Sequence, residues 1–134
     1  MMKVISILFF VLVVFASCAT SYKPEGYSGG YSSMKLADDV FEVTFSGNGY
    51  TRGSFVREMQ VRRSAEIGKE NGFDYFVEKN QKDNSTTSLN TYNGNLNTVR
   101  KAAYTSVIQY FKEGQQPPGA YSVKTILSRY PASK

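Results

Sequence analysis

Cys18 is the single thiol of the chain, and there is no histidine. Serine–histidine and cysteine–histidine nucleophiles are therefore excluded, because no imidazole is present to take the proton. The usual nitrogen and sulfur ligands of a metal site are missing as well. No metal or cofactor is expected. Asp38, Asp39, Glu42 and Asp74 could in principle supply a carboxylate pair for glycan cleavage. Turn and strand-edge roles account for each, so no catalytic residue is assigned. Two further groups could contact an anion or a partner. Asn48 and Gly49 lie in a Gly47-Asn48-Gly49 break between a strand and a helix, and helix N-termini attract anions. The spacing fits neither the dinucleotide fingerprint nor the nucleotide-phosphate loop, so a structural turn is the first expectation. Arg57, Arg62 and Arg63 could hold a phosphate or carboxylate, although a solvated helix face is the plainer reading.

The context of Cys18 gives its thiol a use. Lys3 is a short positive leader, Val4–Phe15 is apolar except for Ser6, and Ala16-Ser17 follow. Twelve residues make a helix of roughly 18 Å, against about 30 Å for a bilayer core. The run is too short to span and suits the apolar region of a signal peptide, with small residues at the cleavage point. Phe15-Ala16-Ser17-Cys18 resembles a bacterial lipobox, with phenylalanine where leucine is usual. The resemblance implies cleavage before Cys18, diacylglycerol on its sulfur and an acyl chain on its new amine. Each buried methylene contributes about 0.8 kcal/mol, and two or more chains anchor stably. Ala19 stands where an aspartate would argue for inner-membrane retention, so the periplasmic face of the outer membrane is expected.

Removing residues 1–17 leaves 117, enough for one domain with a modest two-layer core. The whole chain carries +5. Losing Lys3 leaves +4, spread along the chain. A leader that exports the chain argues against nucleic acid. Weak attraction to anionic lipid or glycan surfaces is the expected consequence.

The elements follow from the pattern. Residues 18–35 read as a lipidated Gly/Ser/Tyr-rich tether, although its tyrosines could dock on the domain. Leu36–Asp39 reads as a turn. Val40–Ser46 alternates with Phe41, Val43 and Phe45 on one side, as a half-buried strand does. Thr51 or Ser54 could cap a helix over 52–71, with Val61, Ala65, Gly68 and Gly72 on a small-residue stripe and Asn71-Gly72 as its stop. Phe73–Glu78 reads as a strand parallel to the first, through a right-handed crossover. Residues 80–98 read as a polar loop, with a hairpin about Asn93-Gly94 as the alternative. Ala102–Lys112 reads as a strand antiparallel to Phe73–Glu78. Ser122–Tyr130 reads as a short helix with Ser122 as cap.

Four runs carry a wider likeness: Tyr22-x-Pro24-x-Gly26-x-x-Gly29-Gly30-Tyr31, Phe45-x-Gly47-Asn48-Gly49-Tyr50-Thr51, Arg62-Arg63-x-Ala65-Glu66 and Gly72-Phe73-Asp74-Tyr75-Phe76. They resemble a family of small bacterial envelope lipoproteins of unknown function, which supplies no catalytic residues. The segment Thr51 to Ile67 also resembles, more distantly, the helix of outer-membrane-protein-A-like peptidoglycan binders. The aspartate and arginine that grip the peptide stem there cannot both be placed here.

The expectation is therefore an α/β (α+β) protein. Residues 36–134 form one small domain, β-α-β-β-α in order, with a mixed sheet and helices packed on one face. Its function is that of a non-catalytic lipoprotein, anchored to the membrane through Cys18 and binding another envelope component. A peptidoglycan or glycan binder is the alternative.

Overall fold

The computed structural model describes residues 19–131. The leader and Cys18 lie outside the described residues. The elements run β1 (Gly30–Ala37), β2 (Val40–Ser46), α1 (Gly53–Glu70), β3 (Tyr75–Asp83), β4 (Thr86–Tyr92), β5 (Asn95–Lys101), β6 (Ala103–Phe111), β7 (Tyr121–Ser122) and α2 (Val123–Arg129). The fold is α+β, and the five expected elements occur in the expected order as β2, α1, β3, β6 and α2.

The main sheet has the order β1-β2-β6-β3-β7. Every ladder in it is antiparallel, which corrects the expected mixed sheet. β2 and β3 do run the same way, but β6 lies between them and pairs with both. Strands sit about 4.8 Å apart, and an 18-residue helix of about 27 Å reaches over the gap.

One face of this sheet is buried. Phe41, Val43 and Phe45 of β2 point inward, joined by Ile108 and Tyr110 of β6 and Phe76 of β3. Both helices cover that face, α1 with Val56, Met59, Val61, Ala65 and Ile67, α2 with Val123 and Ile126. The small stripe on α1 has the expected use. A Cβ on Gly68 would lie 2.9 Å from Val123 Cγ2 and 3.0 Å from Tyr110 Cε1, so a larger residue would push the helix off both. Gly72 lies beyond the helix at φ 77°. There its amide bonds to Lys69 O and that of Phe73 to Gly68 O, closing the helix end with paired reverse bonds.

Three expectations change. The tether is ordered at its Tyr31 end, as expected, and already from Thr20, where mobile residues were expected. Residues 30–35 belong to β1, which pairs with β2 from Gly30↔Ser46 onward. The strand escapes sequence notice because it is an edge strand, buried only at Gly30. The expected loop 80–98 is strand instead: β3 runs on to Asp83, and β4 and β5 form the hairpin alternative, Tyr92 facing Asn95. Asn93 and Gly94 carry φ of 50° and 75°, as a two-residue type I′ turn requires. Neither Thr51 nor Ser54 caps α1. Arg52 holds the N-cap position without a side-chain bond, because the Thr51 hydroxyl is engaged elsewhere. Ser122 does cap α2, accepting from Thr125 N at 3.3 Å.

Candidate functional site: an arginine–tyrosine clasp at the N-terminus

The segment ahead of β1 folds back on the domain at two points. At the first, Thr20 N donates to Thr51 Oγ1 at 2.9 Å. Thr20 Oγ1 donates to Ser28 O at 2.7 Å and accepts from Asn48 N at 2.8 Å. Thr20 is buried in consequence. The Gly47–Gly49 break thus serves as its receptor. Gly47 N donates to Ala102 O, Thr51 N to Asn48 O and Tyr50 N to Asn48 Oδ1. Those amides are engaged within the turn and by Ala102, the residue leading into β6. Gly49 is small for a reason: a Cβ there would lie 2.7 Å from Val99 Cγ1 of β5.

The second point is aromatic. Tyr22 stacks on Phe45 with ring centroids 6.0 Å apart and meets Tyr31 at 5.0 Å. Arg62 lies 5.5 Å from the Tyr22 centroid, and Arg63 lies 4.4 Å from that of Tyr31. Such contacts contribute about 0.5–2 kcal/mol each. Glu66 gathers the group. It accepts from the Tyr22 hydroxyl, from Arg62 Nε at 3.1 Å and from Arg63 at 3.2 Å. Arg62 also donates to the carbonyls of Leu127 and Tyr130, tying α1 to the end of α2. Burial, reinforced by Glu66, pushes the Tyr22 phenol well above its ordinary value. Burial does the same to Tyr110, whose hydroxyl donates to Ser64 O at 2.6 Å.

The three arginines do not form the expected solvated face. Their side chains are 26%, 14% and 16% exposed at Arg57, Arg62 and Arg63. Arg62 and Arg63 share Glu66. Arg57 instead turns under α1 to Glu78 of β3, with one bond at 2.9 Å, and to the buried Gln60. Asn48 and Gly49 belong to the Thr20 receptor, apart from all three. The candidate carboxylates are dispersed. Asp38 pairs with Lys35 in an exposed turn, Asp39 lends its carbonyl to Tyr110 N, and Glu42 borders a shallow outer groove with Met34. Asp74 accepts from Glu113 N at 3.0 Å.

Thr20 was not singled out from sequence; Thr51 was read only as a possible helix cap, and Glu66 only as part of a helix run. The tyrosines of the glycine-rich run carried the signal, and the alternative that they dock on the domain is what Tyr22 and Tyr31 do. The arrangement holds residues 20–31 against the domain. Two clefts flank it. One of about 420 Å³ is bounded by Ala19, Thr20, Tyr50, Arg52 and Phe55, the other of about 490 Å³ by Tyr27, Tyr50, Asn90, Val99 and Lys101. No protein-family model, curated protein or solved structure matches the chain.

Proposed function

We propose that this protein is a bacterial envelope lipoprotein, anchored through an acylated Cys18 on the periplasmic side of the outer membrane, whose domain binds another envelope component without catalysis. The carrying observation is the spacing Lys3, Val4–Phe15, Ala16-Ser17-Cys18. It joins a leader too short to span to the sole thiol of the chain. The fold is compatible with cleavage there: Thr20, two residues on, is already part of the domain. No helix among the described residues is long and apolar enough to cross a membrane. The likeness of four sequence runs to small envelope lipoproteins supports the same reading.

Intact mass of the membrane-extracted protein tests it, wild type beside Cys18→Ala. The expected wild-type mass begins at Cys18 and carries acyl chains, and the variant loses them and leaves the membrane fraction. An unacylated wild-type protein in the soluble periplasm would contradict the reading.

A further inference from the structure

We propose that the Tyr27–Tyr50 end of the domain sits directly on the lipid surface that carries the anchor, in one fixed orientation. The proposal rests on acylation of Cys18 and adds the face the domain turns to the bilayer.

The distance is short. Consecutive Cα atoms are about 3.8 Å apart, so Cys18 lies within about 8 Å of Thr20 along the chain. Thr20 is 4% exposed and held by bonds to Ser28, Asn48 and Thr51. Acyl chains on Cys18 would enter the bilayer beside this point, with too little slack for the domain to stand off or turn over.

The surface around that point suits a bilayer interface. Tyr50 borders both flanking clefts and is 78% exposed, and Tyr27 is 110% exposed. An amphipathic ring with a polar tip favours the headgroup level. Exposed apolar groups gathered at one place mark an interaction surface. Arg52 and Lys101, both exposed, lie in the same two clefts, where Glu58 is the acidic residue. Such cations are drawn to an anionic leaflet. The β4–β5 hairpin extends the surface: Val99 faces Gly49 at this end, and Leu89, Tyr92 and Leu96 are exposed beyond it. The Asp38–Asp39 turn occupies the opposite end of the sheet, since β2 runs from Val40 beside it to Ser46 beside the Thr20 receptor.

The test uses the full acylated protein in vesicles of phosphatidylethanolamine and phosphatidylglycerol. Cys18 is the only native cysteine, so once it is acylated each of Tyr27→Cys, Tyr50→Cys and Asp38→Cys has one free thiol for an environment-sensitive dye. With brominated lipids, dyes at 27 and 50 are expected to lose emission, and the dye at 38 to stay unchanged. Equal insensitivity at all three positions, with acylation confirmed by intact mass, would overturn the orientation and leave the anchor standing. Dyes at 27 and 50 that respond to purified sacculi and not to lipid would overturn it in favour of a glycan surface. A mass without acyl chains would overturn the anchor, and this proposal with it.

Discussion

Tyr22 shows how much can hang on one side chain. Its ring lies between Phe45 and Tyr31, and its hydroxyl donates to Glu66. Tyr22→Phe keeps the stack and loses that bond, at a cost of about 1.5 kcal/mol, read as a lower urea midpoint. The same phenol, with Tyr110, sets the alkaline limit. Both are pushed upward in the fold, by burial first and for Tyr22 by Glu66 next. A raised phenol favours the neutral form when folded. Its stabilisation is fully present below the unfolded value of about 10 and is lost as pH rises above it toward the folded value. Melting followed from about pH 8 to about pH 11 should fall above about pH 10, and Tyr22→Phe should flatten part of the fall. Gly49 makes a second test. Gly49→Ala sets a methyl 2.7 Å from Val99 Cγ1. Overpacking of this kind costs about 1–3 kcal/mol, and the shift should show in NMR resonances of Val99 and its hairpin neighbours.

Elements were legible in the sequence where one face is buried. Val40–Ser46 alternates because β2 puts Phe41, Val43 and Phe45 against the helices and the rest outward. β6 alternates for the same reason. The helix over 53–70 was legible from its small stripe and its Asn71-Gly72 stop, and α2 from the Ser122 cap. Elements without a buried face were not legible from alternation, and the β4–β5 hairpin was read only as an alternative, from its Asn93-Gly94 turn. β4 is exposed at every position, β5 at all but one, and β1 at most of its length, so none carries a period. The antiparallel pairing of β6 with β3 was legible, and its pairing with β2 was not. β6 takes the place between β2 and β3 through a ladder to residues some 60 positions earlier, which local pattern does not report. The hairpin rests instead on its turn. Gly94→Val puts a β-branched side chain at φ 75°, a conformation favouring glycine. Amide exchange in residues 86–101 should quicken markedly, with little change in the global midpoint, because the hairpin is its own two-stranded sheet.

At the scale of the molecule, one helix organises two clusters. α1 places Val61, Ala65 and Ile67 over the larger core and Val56 and Met59 over the smaller one, where Phe45, Tyr22 and Tyr31 gather. Between helix and sheet lies the Arg57–Glu78–Gln60 group. Glu78→Ala would strand Arg57 in that layer. Breaking a buried pair costs about 3–5 kcal/mol, and partial exposure of Arg57 sets the expectation near about 3 kcal/mol, checked by denaturant unfolding. The claim that joins fold to proposed function is that the chain is folded from Thr20 onward and has no slack tether. Hydrogen exchange on the intact protein tests it most directly. The amides of Thr20, Glu25 and Tyr31, bonded to Thr51 Oγ1, Tyr31 O and Lys23 O, should be protected together with Asn48. Free exchange at Thr20, Glu25 and Tyr31, while the β2 and β6 amides stay protected, would contradict the account and restore a flexible tether.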